Sequence, residues 1–296
     1  MSNDFTSQFQ AYQTRVNDFL ATCPADLPEN LALSAAKYSL TAPGKRLRPI
    51  LAIATYEALS GQTASADVVQ LAGSLEMVHT FSLIHDDLPA LDNDTLRRGL
   101  PTCHTQFNEA SAILAGDFLL THAFTNLTAT ASPAATVQLL TQVLAAAVTQ
   151  LIIGEQNDLL GETTALDKTQ LAAMFVAKTG ALFGASLAFG AIIAGAADSA
   201  PYLALGHDLG LAFQIQDDVL DIVGNQQELG KNIGSDLAQN KSTWVKFYGL
   251  AQAQADYRQY YQQTAQKLSA LLATSQSPAA RQFLLDLITF LQDRHQ

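Results

Sequence analysis

One stretch decides the fold: FQIQDDVLDIVG, Phe213 to Gly224. Its polar residues recur at positions i, i+3, i+4 and i+7, so they lie on one face of an α-helix. They are Gln214, Asp217, Asp218 and Asp221. This face has no positive charge, and its acids repel one another. The spacing therefore predicts a helix whose acidic face binds a cation.

The rest of the chain has the same helical character. Long stretches rich in Ala, Leu and Gln are punctuated by nine prolines, and no strand pattern or Asn-Gly hairpin turn stands out. Apolar spacing predicts helices that include 51–59, 68–88, 112–128, 136–153 and 202–223. No repeat or low-complexity linker divides the chain. We therefore predict an all-α fold of ten or more helices in one domain, residues 1–296.

The composition excludes several classes of protein. A net charge of −11 disfavours binding to nucleic acid or to an anionic membrane. The two cysteines form no disulfide framework and no secretory signal is evident, so we expect a cytoplasmic location. The uncharged stretch Thr179 to Ala197 is long enough to span a membrane. Its many Gly and Ala residues favour a buried, closely packed helix instead, and we expect no membrane span.

A second group of acids lies in LIHDDLPALDNDTLRRG, Leu83 to Gly99. Asp86 and Asp92 are six residues apart, which places them on different faces of an ideal helix. Pro89 lies between them and should end the helix, so that the later acids fold back. Upstream, His79 lies on the same helical face as Asp86, which favours a functional role for this histidine.

The two acidic groups predict a hard cation. Cys and His residues in metal-ligand spacing are absent, so zinc is not expected. Mg²⁺ is commonly held by one or two carboxylates together with substrate phosphates. Basic residues that could meet such phosphates are Lys45, Arg46, Arg48, Arg97, Arg98, Lys178, Lys231 and Lys241. Together these features predict a diphosphate site bridged by Mg²⁺.

The order of these motifs resembles that of the trans-isoprenyl diphosphate synthase family, in particular its short-chain bacterial type. The two aspartate-rich motifs of the family are matched by DDLPALD, Asp86–Asp92, and DDVLD, Asp217–Asp221. Its other motifs are matched by GKRLRP, LRRGLPTCH, KTG and FQIQDD, followed by GK, GSD and NKST. The resemblance extends from Gly44 to Thr243, about two-thirds of the chain. It implies the isoprenoid synthase fold, a helical bundle around a central cavity.

The resemblance also implies an activity. Enzymes of this family use Mg²⁺ to condense isopentenyl diphosphate head-to-tail with an allylic diphosphate, such as dimethylallyl or geranyl diphosphate. The departing diphosphate is the expected base for the final proton, which agrees with the lack of an obvious side-chain base. The family forms homodimers, and residues 224–242 would be a lid over the site.

Family correspondence assigns roles residue by residue. Roughly two to three Mg²⁺ ions would be held by Asp86, Asp87, Asp92, Asp217, Asp218 and Asp221. The allylic diphosphate would contact Arg97, Lys178, Lys231 and Lys241, with Thr179 and Gln214 nearby. Isopentenyl diphosphate would contact Lys45, Arg48, His79 and Arg98. The residues expected to be catalytic are Asp86, Asp87, Asp92, Arg97, Lys178 and Asp217, and Asp94 would support the first motif.

Product length is expected to depend on the residues five and four positions before the first motif, Phe81 and Ser82. The aromatic residue lies about 7.5 Å along the helix from Asp86. By resemblance, it would stop the growing chain at fifteen carbons (C15). Products of twenty (C20) or ten (C10) carbons are the alternatives.

Two segments depart from the family pattern. Glu155 stands where the family usually has Gln, and Trp244-Val245 replaces the usual Tyr-Pro. These changes would alter affinity or lid closure rather than abolish activity. Two other kinds of protein remain as alternatives. A class I terpene cyclase would normally carry a different second metal motif, and a non-catalytic subunit of a prenyl synthase would have degraded aspartates or arginines.

Overall fold

The computed structural model describes residues 3–24, 27–164, 166–223 and 242–294. Helices dominate these ranges. Their bounds are α1 (Asn3–Ala21), α2 (Leu31–Thr41), α3 (Leu47–Ser60), α4 (Ala66–Asp86), α5 (Cys103–Gln106), α6 (Glu109–Thr128), α7 (Ala134–Thr163), α8 (Lys168–Phe175), α9 (Ala181–Ile193), α10 (Ala200–Val223), α11 (Trp244–Tyr248), α12 (Leu250–Leu271) and α13 (Pro278–Gln292). A π-helical turn, Val176–Gly180, joins α8 to α9. The prediction of an all-α fold with ten or more helices is confirmed.

Apolar spacing located the main helices better than it located their ends. The helix expected at 136–153 lies within α7, which has 30 residues and continues to Thr163. The helix expected at 68–88 begins at Ala66, where the Ser65 side chain accepts a hydrogen bond from the backbone of Val68. It ends at Asp86, ahead of Pro89, because a proline ring is incompatible with the interior of a helix.

A short hairpin was not expected from the sequence. Strand β1 (Leu96–Arg97) pairs antiparallel with β2 (Leu100–Pro101), and Arg98 and Gly99 form the turn between them. Both turn residues have positive φ, 56° and 78°, as in the tight turns that match the twist of paired strands. The turn escaped prediction because its first residue is arginine rather than the usual asparagine or aspartate.

The core is built around α9, which packs against α3, α7 and α10. Small residues allow the close approach of α9 and the π turn to α10. A Cβ added at Gly206 would lie 2.2 Å from the backbone nitrogen of Gly184, and one at Gly210 would lie 2.2 Å from the Cα of Gly180. These glycines bring the backbone of α10 directly against the segment that carries Lys178 and Thr179.

Two segments of the described chain are long and apolar enough to cross a membrane by length and composition, Ala134–Thr163 and Lys168–Ile193. In the second, 83% of the most apolar window is buried inside the protein. Residues 181–192 of α9 are all buried. Burial of this kind is typical of a central core helix, so the stretch predicted from Thr179 to Ala197 contains a buried helix, as expected.

Candidate active site

A cavity of about 490 Å³ lies between α3, α4, α7, α10 and the π turn. Most of the predicted site residues line it. They are Lys45, Arg48, His79, Ser82, Asp86, Asp92, Arg97, Arg98, Lys178, Thr179, Gln214, Asp217 and Asp218. Lys231, Lys241 and most of the expected lid, residues 224–241, lie outside the described residues. The two acidic motifs, far apart in the sequence, therefore face one space.

The end of α4 brings two acids of the first motif together. The helix stops at Asp86, and the chain then turns so that the backbone N–H of Asp92 donates to the carbonyl of Asp86 at 2.8 Å. The fold-back expected at Pro89 is therefore present. Both carboxylates line the cavity, although six residues separate them in the sequence.

Asp86 is a buried carboxylate that lies among charges of both signs. Burial raises its pKa well above the usual range, and the nearby charges of Glu155 and Asp92 raise it further, whereas Lys178 opposes them. A buried carboxylate in such surroundings gains stability from an added cation. This environment is consistent with the cation site predicted for the first motif.

Asp87 differs from its neighbours. Its Oδ1 accepts hydrogen bonds from Arg97 Nε at 2.9 Å and Nη2 at 2.5 Å, and the side chain is buried outside the cavity wall. Burial raises the pKa of Asp87 to about 6, although the Arg97 charge opposes the shift. Asp87 Oδ1 therefore pairs with Arg97, and the expectation that Asp87 also binds a metal stays a prediction. Arg97 also binds Asp94 at 3.1 Å, so Asp94 helps to hold this arginine.

Lys178 projects from the π turn into the acidic part of the cavity. Its Nζ lies 2.8 Å from Glu155 Oε2 and 2.7 Å from Asp158 Oδ2, both on α7. Burial would lower the pKa of Lys178, but the charges of Asp158, Asp86 and Glu155 raise it well above its usual value, so the lysine is charged. Glu155, the residue that departs from the family pattern, therefore contacts a predicted catalytic residue directly.

The acids on the polar face of α10 do not all line the cavity. Asp217 and Asp218 line the cavity, whereas Asp221 is buried and is not part of the described wall. Asp218 Oδ2 accepts a hydrogen bond from the backbone N–H of Trp244 at 2.6 Å. Trp244 itself is buried against Phe175. The Trp244-Val245 departure therefore lies where the chain after the expected lid meets the second motif.

Arg294 is a site residue that the sequence did not reveal. Its Nη2 lies 2.6 Å from Asp217 Oδ1, its Nε donates to Gln216, and its guanidinium stacks on Phe213 at 3.5 Å from the ring centroid. Only 6% of the side chain is exposed. No signal near the end of the chain could have predicted this contact, because it joins residues 77 positions apart.

Basic residues also line the cavity and form what we call its basic end. Lys45 and Arg48 line it together with Arg98. The guanidinium of Arg48 lies 4.9 Å from the ring centroid of Phe183, and burial lowers its pKa to about 10, still well above neutrality. Burial and the adjacent arginines lower the pKa of His79 well below its usual value. His79 is therefore a neutral hydrogen-bonding group at pH 7.

Two further contacts involve residues predicted to bind substrate or to set the length of the product. The Thr179 hydroxyl donates to Gln214 Oε1 at 3.0 Å, which links the π turn to α10. Ser82 lines the cavity, but Phe81 is buried behind the described lining and packs edge-on against His85. Phe81 is therefore not among the residues that line the cavity.

The donor set fits Mg²⁺. Within the described ranges, no three Asp, Glu, His or Cys side chains converge tightly enough to form a closed metal site. The carboxylates of Asp86, Asp92, Asp217 and Asp218 nevertheless face one cavity, and all are hard oxygen donors. Mg²⁺ typically binds one or two carboxylates and completes its shell with phosphate oxygens and water. Such an open arrangement suits a metal that is bound together with a phosphorylated ligand.

Comparison with known proteins gives a consistent result. A protein-family model described as polyprenyl synthetase matches residues 29–276. Farnesyl diphosphate synthase of Haemophilus influenzae is 40% identical over 296 residues, covering 95% of this chain and 98% of its own. Geranylgeranyl diphosphate synthase of Cyanophora paradoxa is 44% identical over 224 residues, covering 73% of this chain and 74% of its own.

Solved structures extend the comparison to three dimensions. Geranyltransferase from Helicobacter pylori, complexed with magnesium and isoprenyl diphosphate, aligns with a TM-score of 0.88 at 31% sequence identity. The alignment covers 98% of each chain.

Proposed function

The chain belongs to the polyprenyl synthetase family, and from this membership we propose a specific reaction for its cavity. The protein is a prenyltransferase, a farnesyl diphosphate synthase that joins isopentenyl diphosphate to dimethylallyl or geranyl diphosphate and releases diphosphate. One observation carries the proposal: the same cavity is lined by acids, among them Asp86, Asp92 and Asp217, and by the cations Lys45 and Arg48. Two diphosphates can bind there side by side, one through metal ions held by the acids and the other through the basic side chains.

The acidic part would bind the allylic diphosphate. Asp86, Asp92, Asp217 and Asp218 would hold Mg²⁺, which supplies positive charge to the diphosphate as negative charge develops on it. Lys178 lies among these acids with its charge retained and would bind the same diphosphate. Asp87 acts differently, because its bond to Arg97 holds that guanidinium at the cavity wall.

The basic end would bind isopentenyl diphosphate. Arg48 is available for a ligand, because its buried Nε has no hydrogen-bond partner among the described residues. Lys45 and Arg98 line the same end, and neutral His79 can donate one hydrogen bond. Guanidinium groups suit diphosphate because their fixed fork of N–H donors matches its oxygens.

Apolar side chains separate the reacting carbons from water. Leu151, Met174, Phe175 and Phe213 contribute to the cavity wall. Exclusion of water protects a cationic allylic group from hydrolysis while the double bond of isopentenyl diphosphate attacks. Apart from the diphosphate that leaves, no separate base is needed for the last proton.

A product of fifteen carbons is the length we propose. Ser82 lines the cavity and its neighbour Phe81 is buried, so a growing chain meets this level of α4 about one and a half helical turns from Asp86. The similarity to a geranylgeranyl diphosphate synthase supports the C20 alternative. The ring of Phe81 is the feature that favours the shorter product.

We further propose that the enzyme is a cytoplasmic homodimer with one domain over residues 1–296 and roughly two to three Mg²⁺ ions per site. Exposed large apolar side chains on α6 and α7 support the dimer. They are Ile113, Leu114, Leu139, Ile152, Ile153 and Leu160. Apolar surface of this kind is commonly covered by a partner, and sedimentation at micromolar concentration tests the proposal.

Release of diphosphate tests the reaction. The purified protein with Mg²⁺ should release diphosphate only when isopentenyl and geranyl diphosphate are both present. A terpene cyclase would release it from the allylic substrate alone, and a non-catalytic subunit would release none. Either result, from folded protein, would overturn the proposed function.

A further inference from the structure

Glu76 is a buried carboxylate at the basic end of the cavity. It lies on α4, three residues before His79, and is 1% exposed. Its Oε1 accepts a hydrogen bond from Arg46 Nη1 at 2.8 Å and lies 3.6 Å from Arg98 Nη2. One carboxylate oxygen is therefore shared by two arginines from different parts of the chain.

Arg46 is fixed completely by this environment. Besides the bond to Glu76, its Nε donates to Asn17 Oδ1 at 2.8 Å and its Nη2 donates to the carbonyl of Ala42 at 2.7 Å. Arg46 directly follows Lys45 and precedes Arg48 by two residues. A fixed Arg46 thus fixes the backbone that presents both of those cations to the cavity.

Both arginines that contact Glu76 have strained backbones. Arg46 and Arg98 have φ of 54° and 56°, and they are two of the three non-glycine residues with positive φ in the described chain. Such conformations persist only where surrounding contacts hold them. The shared contact to Glu76 is what these two positions have in common.

Arg98 is held from a second side by Gly44. A Cβ at Gly44 would lie 3.0 Å from Arg98 Cζ, so the guanidinium packs closely on this backbone. Glu76 supplies the matching negative charge, which opposes the effect of burial on the pKa values of Arg48 and Arg98. Without it, three buried guanidinium groups would repel one another.

We propose that Glu76 is a positioning residue that holds Arg46 and Arg98, and through Arg46 also Lys45 and Arg48, in the geometry that binds the diphosphate of isopentenyl diphosphate. This role rests on the proposed function of the basic end. Glu76 lines the cavity beside the arginines that it holds and acts through them, so its effect is confined to one of the two substrates.

The test is Glu76→Gln, which keeps the shape of the side chain and removes its charge. The dissociation constant for isopentenyl diphosphate alone, measured by calorimetry, should rise at least about tenfold. The reason is that Arg46 and Arg98 lose the charged partner that holds them in place. The KM for isopentenyl diphosphate should rise in parallel, and the KM for geranyl diphosphate should stay within about twofold.

Glu57→Gln is the matched control. Glu57 also pairs with an arginine, Arg15, at 3.2 Å and is largely buried, but it does not line the cavity. This variant should leave both KM values unchanged. If Glu76→Gln fails to fold, Glu76→Asp keeps the charge on a shorter side chain and should raise the KM for isopentenyl diphosphate several-fold.

The inference is wrong if a folded Glu76 variant binds isopentenyl diphosphate within about twofold of the unmodified enzyme, or if both KM values rise equally. These results differ from failure of the proposed function. In that case, the unmodified enzyme itself would not bind isopentenyl diphosphate or condense it.

Discussion

Gly210→Ala perturbs the contact that brings the two halves of the acidic site together. The new Cβ would lie 2.2 Å from Gly180 Cα, whereas ordinary contacts begin at 3.4 Å, so the two backbones must separate by about 1.2 Å. Neither atom belongs to a flexible side chain that could rotate away. The displacement falls one helical turn from Gln214 and two residues from Lys178.

The expected losses of stability and of activity follow from this separation of the two backbones. Overpacking costs about 1–3 kcal/mol, and replacement of glycine by alanine in a helix returns about 1 kcal/mol. We expect a net loss of stability of about 1 kcal/mol. The same displacement should separate Thr179 from Gln214, which are joined by a hydrogen bond of 3.0 Å. A misplacement of about 1 Å can slow catalysis about 100-fold, so kcat/KM for geranyl diphosphate should fall by about this factor.

Gly161→Ala is the control for this experiment. Gly161 also lies inside a helix, α7, but its nearest neighbour is the flexible end of Leu166 at 3.2 Å. This variant should melt at the same temperature as the unmodified enzyme or higher and keep its activity. If Gly210→Ala retained full kcat/KM and melting temperature, the close helix contact would not position the site, and the reasoning would be refuted.

Three other predictions concern single residues. Phe81→Ala should shift the product from C15 towards C20 in a chromatographic assay; an unchanged C15 product would remove Phe81 from the stopping role. Arg294→Gln removes the cation bonded to Asp217 and should lower the Mg²⁺ concentration for half-maximal activity about threefold; an unchanged or higher requirement would contradict competition between Arg294 and the metal. Asp87 has a pKa raised to about 6 by burial, so the stability associated with its neutral form is lost as the pH rises through 6. The melting temperature of Asp87→Asn relative to the unmodified enzyme should therefore rise between pH 4 and pH 7, and a constant difference would count against the raised pKa.

The sequence was most informative where local spacing determines the outcome. The four polar residues of α10 lie on one helical face because helical periodicity dictates it, and Pro89 ends α4 because a proline ring cannot continue the helix. These local rules, together with the motif order, were sufficient to predict the all-α fold and most of the residues that line the cavity.

The remaining features depend on contacts between distant parts of the chain. Asp87 was expected to bind metal like its neighbours, and the spacing of the motif gave no sign that it also pairs with Arg97, ten residues later. The contact between Arg294 and Asp217 joins the end of the chain to the second motif. Side-chain direction and tertiary pairing decide these roles, and neither is encoded in the spacing of a motif.

The central claim is that the acidic and basic ends of one cavity bind two different diphosphates and join their carbon chains. Its most direct test is the chain length of the product made from dimethylallyl and isopentenyl diphosphate with Mg²⁺, measured after dephosphorylation by chromatography against prenyl alcohol standards. We predict farnesol, the C15 alcohol, as the main product. A folded enzyme that formed no elongated prenyl product would contradict the account.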